Sequence, residues 1–118
     1  MLMTMTCFTG VFYHPNAPSL DEALLLAPDR GTIASLSPLG MGSSAGHRQM
    51  QGPAIRNWLA GRTAGEALLA GKLALTATYR DLIDTHAVLG DPAVRMTVGT
   101  SPASNDGTLL PMVANTAP

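Results

Sequence analysis

Short apolar runs, separated by stretches rich in Gly, Pro and Ser, predict three β-strands. The first run, "LMTMTCF" at residues 2–8, contains neither Gly nor Pro and has the length of a buried strand. The others are "GTIASLS" at 31–37 and "AVRMTV" at 93–98. The pattern places Cys7 at the end of the first strand.

Three helices are predicted between these strands. Ser19 followed by Glu22 forms a capping box that opens a short helix over about residues 20–27. A second helix is expected over 45–60, broken or kinked at Gly52-Pro53. A second capping box, Thr63 with Glu66, opens the longest helix, at 64–83, whose small side chains favour close packing against a partner.

The order strand, helix, strand, helix, helix, strand predicts an α/β sandwich with a largely parallel sheet. Three strands are few for this much apolar helix. We therefore interpret the chain as part of a larger domain cut at its N-terminus, with a small domain completed by a partner as the alternative. The domain is expected to span residues 1–98, and the Ser-, Thr- and Pro-containing segment 99–118 to be a linker or disordered tail.

Composition excludes several function classes. The 118 residues are 46% hydrophobic and only 13% charged, with a net charge of −1 and no basic block, which argues against nucleic-acid binding. A single cysteine, with no Cys/His cluster, argues against both a disulfide and a structural metal site. No uncharged apolar run approaches the roughly 18 residues of a membrane span. No cofactor is predicted.

Cys7 is the main candidate for chemistry. Ligands of open α/β sheets bind beyond the carboxyl ends of the strands, and Cys7 is predicted at such an end. The loops at 9–18 and 38–46 are expected to rise from the same edge. Position alone leaves two interpretations open, because a free cysteine is commonly a small buried apolar residue rather than a nucleophile.

The segment "TCFTGVFYHPNAPSLDEALLLAPDRGTIASLSPLG" resembles the region around the catalytic cysteine of the gingipain-type cysteine peptidases. The later stretches "TAGEALLAGKLAL" and "DLIDTHAVLGDPAVRM" are similar to the end of that catalytic domain. The resemblance spans about residues 4–98. It implies a caspase-like three-layer α/β sandwich with a mostly parallel sheet, here a C-terminal fragment of about three strands and three helices.

The resemblance also implies a mechanism, in which Cys7 attacks the scissile carbonyl of a peptide or protein and forms an acyl-enzyme. The family's histidine base lies upstream of the cysteine, so it would belong to a missing N-terminal part of the same domain. None of the three histidines, His14, His47 and His86, occupies the family motif, but His14 lies in the adjacent loop and is a site-adjacent candidate. By resemblance, one loop borders the pocket for the residue preceding the scissile bond: Pro38, Leu39, Gly40, Met41, Gly42 and Ser43.

The family resemblance further implies a secreted or cell-surface bacterial protein. A non-enzymatic alternative is a catalytically inactive peptidase-like module for binding or assembly. A second alternative arises because "GMGSSA", Gly40 to Ala45, fits a dinucleotide-binding fingerprint. That motif needs a following strand with an acidic end, and "IRNWLAGRTAGE" at 55–66 does not supply one. Dinucleotide binding is therefore not favoured.

Overall fold

A computed structural model of the chain describes residues 1–96. The boundary predicted at 98/99 and the predicted tail at 99–118 lie outside the described residues. The elements, in chain order, are β1 (Leu2–Met3), α1 (Leu20–Leu25), β2 (Ala34–Pro38), α2 (Ser44–Leu59), α3 (Ala64–Leu73), a short 3-10 helix (Ala77–Tyr79), α4 (Asp81–Thr85) and β3 (His86–Gly90).

The three strands form one sheet in the order β1-β2-β3. β1 pairs with β2 in parallel, with Leu2 opposite Ser35, whereas β3 runs antiparallel to β2, with Val88 opposite Leu36. Since β1 and β2 are parallel, the segments that follow them emerge at the same edge of the sheet. The antiparallel β3 begins at that edge, where His86 lies opposite Pro38.

Helices cover both faces of this sheet. Ser35 on β2 donates a hydrogen bond to Asp21 of α1 at 3.0 Å. The neighbouring Leu36 points the other way and packs in a buried cluster with Met50 and Trp58 of α2. Because successive side chains of a strand alternate between faces, α1 lies on one face and the α2–α3 pair on the other. The result is a three-layer α/β/α arrangement.

The helix starts follow the predicted caps. Both capping boxes are formed: Ser19 with Glu22 at the start of α1, and Thr63 with Glu66 at the start of α3. The predicted close packing of small residues is also present, because a Cβ placed on Gly71 would lie 2.8 Å from Met50 Cγ. The helix α2 runs through Pro53 without ending there.

The prediction was wrong for two strands. The first was predicted over 2–8, but strand pairing is limited to Leu2–Met3, after which the chain forms a turn. Within the predicted strand at 93–98, the described part contributes only an isolated bridge from Arg95 to Thr63. The third strand is instead His86–Gly90, a segment between the predicted long helix and the predicted strand at 93–98. Antiparallel pairing with β2 supplies backbone partners that sequence periodicity does not reveal.

The long helix predicted over 64–83 was also wrong in extent. α3 ends at Leu73, and the chain continues through the 3-10 helix into α4. The break is held from outside the helix, because the Thr76 N–H and hydroxyl both donate to Gln49 Oε1 at 3.3 Å. The Thr76 N–H therefore has a side-chain acceptor in place of the main-chain carbonyl that a continued α3 would have supplied.

Candidate active site

Cys7 lies on a tight turn just beyond β1. Main-chain bonds fix this turn against the end of β2: the N–H groups of Thr4, Phe8 and Gly10 donate to carbonyls of residues 36, 40 and 38 at 3.1, 3.3 and 3.0 Å. The Cys7 side chain is exposed, and its Sγ lies 3.8 Å from the Gly42 carbonyl oxygen. The single thiol therefore reaches solvent at the edge where the parallel strands end.

The residue after Cys7 has an uncommon backbone conformation. Phe8 adopts φ +63°, in the left-handed region that side chains other than Gly rarely occupy. Such a conformation costs about 1–3 kcal/mol and persists only where surrounding structure enforces it. Here the bond from Phe8 N–H to the Gly40 carbonyl enforces it. The chain therefore turns sharply directly after Cys7, whose thiol is exposed.

The loop after β2 runs alongside this turn. Its Leu39 N–H donates to the Thr85 carbonyl at 2.6 Å, and its Leu39 carbonyl accepts from the Tyr13 hydroxyl at 3.1 Å. Ser43 caps α2 by accepting from the Ala45 N–H. Met41 is exposed. The loop of Pro38 to Ser43 that resemblance singled out thus lies beside Cys7, although Ser43 is engaged in capping.

Glycine is required at position 42 of this loop. A Cβ there would lie 2.7 Å from His47 Nε2 and would also collide with Leu82. The loop can therefore pass directly over the first turn of α2 only because residue 42 has no side chain. This close passage is what presents the Gly42 carbonyl to the thiol.

An open pocket is formed by residues 8–19, the loop that follows Cys7. Its volume is about 440 Å³, within the range of small-ligand sites. Its lining is mostly apolar and comes from a single loop: Phe8, Val11, Tyr13, His14, Ala17, Pro18 and Ser19. Phe8, which follows Cys7 directly, belongs to this lining, whereas Cys7 itself does not.

The three histidines occupy different environments. His14 is exposed in the pocket wall, where the Asn16 N–H approaches its Nδ1 at 3.4 Å. His47 is only 4% exposed, and its Nδ1 lies 3.1 Å from the Met5 carbonyl oxygen. His86 is 2% exposed, and its ring meets that of His47 edge-on, with centroids 5.1 Å apart. Burial, and secondarily the nearby His47, lowers the pKa of His86 to about 4.

Sequence reasoning missed His47 as a neighbour of the site. It was interpreted only as a residue of the first helical turn, but the structure places its ring beneath Gly42 and against Met5. A signal was available, because the first turn of a helix packs under the loop that leads into it. Among residues 1–96, no group of three or more His, Cys, Asp or Glu side chains is arranged to hold a metal ion.

The family model of peptidase family C25 matches residues 1–97. The chain belongs to peptidase family C25. This membership confirms the resemblance to gingipain-type peptidases inferred from the sequence motifs. No curated protein matches the chain.

A solved structure supports the same family fold. The crystal structure of the Arg specific cysteine proteinase gingipain R (RGPB) superimposes with a TM-score of 0.61 and 24% sequence identity. The match covers 77% of this chain and 24% of that chain, so this member of family C25 spans about a quarter of the gingipain R structure. The shared fold confirms the predicted caspase-like α/β class. Family and fold together indicate a region of a cysteine-peptidase domain.

Proposed function

We propose that this chain carries the nucleophile of a cysteine endopeptidase and that Cys7 is that nucleophile. The observation that carries the proposal is the exposed Cys7 thiol on a strained turn, at the carboxyl edge of the parallel strand pair. This exposure argues against the alternative interpretation of Cys7 as a small buried apolar residue. Two further features support the proposal: a pocket lined in part by Phe8, the residue after Cys7, and the loop at 38–43, whose Gly42 carbonyl lies 3.8 Å from the thiol.

The chemistry requires a deprotonated thiol. The thiolate attacks the scissile carbonyl carbon, and collapse of the tetrahedral intermediate breaks the C–N bond and leaves an acyl thioester. The departing amine takes up a proton, and water then hydrolyses the thioester. An ordinary thiol, with a pKa near 8.5, is only a few per cent thiolate at neutral pH, so a base must assist.

The base is proposed to come from a segment upstream of this chain. His47 and His86 are buried, so neither can reach a substrate carbonyl or leaving group. His14 is exposed in the pocket wall and stays the site-adjacent candidate within the chain. Since the match covers only 24% of the gingipain R chain, most of that fold corresponds to segments outside this one.

The main chain of the turn offers a donor for the developing oxyanion. The Phe8 N–H is already bonded to the Gly40 carbonyl, whereas the Cys7 N–H donates to no acceptor among the described backbone bonds. A free N–H on the nucleophile itself is a common element of an oxyanion hole. We therefore assign the Cys7 N–H this role.

The proposed substrates are peptides or proteins with an uncharged side chain seated in the pocket. None of the seven lining residues is acidic, and neither is any residue of the loop at 38–43. A basic side chain would therefore find no counter-charge from these two segments. The partner implied is the remainder of the same domain, and the proposed setting is secreted or cell-surface bacterial. No helix within residues 1–96 combines the length and apolar character needed to cross a bilayer.

A second candidate function is an inactive peptidase-like module that binds a partner. Exposed aromatic side chains favour it: Phe8, Phe12 and Tyr13 are 49%, 51% and 63% exposed. Aromatic residues at a surface are typical of protein interfaces. The two candidates differ in peptide hydrolysis: the endopeptidase loses it when Cys7 is replaced, whereas the binding module has none.

The test compares this chain with a longer protein in which the proposed upstream segment precedes it. Iodoacetamide labelling of Cys7 is measured against pH in both, together with hydrolysis of peptide substrates. We expect labelling to begin at lower pH in the longer protein and Cys7→Ala and Cys7→Ser to abolish its turnover. Leu73→Ala, on the exposed surface of α3, is the control and should retain activity.

Two results would count against the nucleophile. Unchanged peptide cleavage by the Cys7→Ala variant of the longer protein would exclude it directly. Identical slow labelling of both proteins, with no cleavage by either, would favour the binding module.

A further inference from the structure

The side chain of His47, on α2, bonds the segment that carries Cys7 to the helical layer. The N–H groups of Thr4, Phe8 and Gly10 bond to β2 and its loop, and the hydroxyls of Thr4 and Thr9 meet across the turn at 2.6 Å. All of these contacts hold the turn to the sheet or to itself. His47 of α2 is different, because its Nδ1 bonds to the carbonyl of Met5, two residues before Cys7.

This bond identifies a ring nitrogen of His47 that carries a hydrogen. A carbonyl oxygen only accepts, so Nδ1 must carry the hydrogen in the 3.1 Å contact. In a neutral ring, Nε2 then has a free lone pair, and it makes no hydrogen bond among residues 1–96. Nε2 lies against Gly42, whose carbonyl is the neighbour of the Cys7 thiol. One ring thus contacts both segments that flank the thiol.

Packing prevents the ring from turning away. The His86 ring meets it at 71°, and only 4% of His47 is exposed. The His47 N–H is bonded to the Ser43 carbonyl in the first turn of α2, which fixes the backbone from which the ring projects. A site held by a side chain whose own rotamer is locked by packing keeps its geometry to a fraction of an ångström.

We propose that His47 is a positioning residue for the nucleophile: its Nδ1–H holds the Met5 carbonyl, and its ring supports Gly42, so that together they set the place of the Cys7 thiol. This inference rests on the proposed function of Cys7. His47 is not itself the base, because the ring is buried and its protonated nitrogen is already bonded to the protein.

Two substitutions separate the hydrogen bond from the packing. In His47→Asn the amide nitrogen stands the same number of bonds from Cβ as Nδ1, so it can still donate to Met5. In His47→Leu the bulk is kept and the donor is lost. His86→Phe is the matched control, because Phe keeps a ring against His47 and leaves the bond to Met5 in place.

The first readouts use this chain. Spectra that correlate ring protons with ring nitrogens should show His47 protonated at Nδ1 and not at Nε2. Iodoacetamide should alkylate Cys7 at a several-fold altered rate in His47→Leu, at nearly the wild-type rate in His47→Asn, and at the wild-type rate in His86→Phe. Urea unfolding of each variant identifies any that fail to fold. An Nε2-protonated ring would overturn the proposal even if the variants were unstable.

The second readout uses the longer protein. A displacement of the nucleophile by about 1 Å can lower kcat roughly a hundredfold. We expect His47→Leu to lower kcat with little change in KM, and His47→Asn to restore most of it. A purely structural role would instead make activity follow stability, with no advantage for Asn.

The outcomes separate this inference from the function on which it rests. If Cys7→Ala still cleaves peptides, the proposed nucleophile fails, while the tautomer and alkylation results can still stand. If Cys7→Ala is inactive but His47→Leu matches the wild type in alkylation rate and kcat, the positioning role of His47 is wrong.

Discussion

Acidification should destabilise this chain through His86. The residue begins β3, is 2% exposed, and neither ring nitrogen makes a hydrogen bond within residues 1–96. Burial is the main cause that lowers its pKa, and the electrostatic interactions with the neighbouring His47 and Lys72 act in the same direction. The backbone of Leu82 and the charge of Asp81 oppose them and raise the pKa. The folded state therefore favours the neutral imidazole.

The magnitude follows from the two pKa values of His86. They are 6.5 for an ordinary histidine and about 4 in the folded chain. Above pH 6.5 the ring is neutral in both states. As the pH falls from 6.5 towards 4, the unfolded chain binds a proton that the folded chain does not, so stability is lost. The loss amounts to about 3 kcal/mol and levels off below pH 4.

The assay is urea unfolding at several pH values between 4 and 8, followed by the fluorescence of Trp58, the single buried tryptophan. His86→Phe keeps the ring shape and removes both unpartnered nitrogens, so its stability at pH 7 should equal or exceed that of the wild type. The variant's advantage should grow by about 3 kcal/mol from pH 7 to pH 4.

The control is His14→Phe, which changes an exposed histidine and should leave the wild-type pH dependence intact. A constant difference between the wild type and His86→Phe across this pH range would show that the folded chain does not hold His86 neutral.

Three further predictions concern stability and are checked by denaturant titration. Gly71→Ala should lower the free energy of unfolding by about 1–3 kcal/mol, because a Cβ would lie 2.8 Å from Met50 Cγ; a net gain would show that α2 and α3 can separate freely. Thr63→Ala should lower it by about 1 kcal/mol through loss of the α3 cap, and hydrogen exchange should quicken in that first turn. Ser35→Ala should cost about 1–3 kcal/mol by removing a donor from the buried Asp21 carboxylate, and an unchanged midpoint would contradict this.

Features that depend on near neighbours in sequence could be predicted. Both capping boxes join residues three positions apart, so Ser19 with Glu22 and Thr63 with Glu66 indicated helix starts correctly. The order of motifs was sufficient to predict the family and the caspase-like class, which the family match and the gingipain R structure confirm. The nucleophile role of Cys7 and the pocket role of the loop at 38–43 stay predictions.

The strand boundaries could not be predicted in the same way. "HAVLG" became β3 because β2 offers it backbone partners along five residue pairs, from Ala34 with Gly90 to Pro38 with His86. The run "AVRMTV" has a stronger strand pattern, yet its described part makes only one isolated bridge. A strand is stabilised by its neighbour across the sheet, and the pattern of a single segment does not identify that neighbour.

The sequence by itself determined the helix caps, the glycine-containing loop after β2 and the family to which the chain belongs. Only the tertiary structure decided that His47 meets Met5, a residue 42 positions away, and that His86 packs against it at the start of an antiparallel strand. The physical reason is the separation in sequence between the residues that interact. Caps close within one helical turn, whereas the buried histidine pair exists because the sheet topology brings β3, the first turn of α2 and the Cys7 turn to one edge.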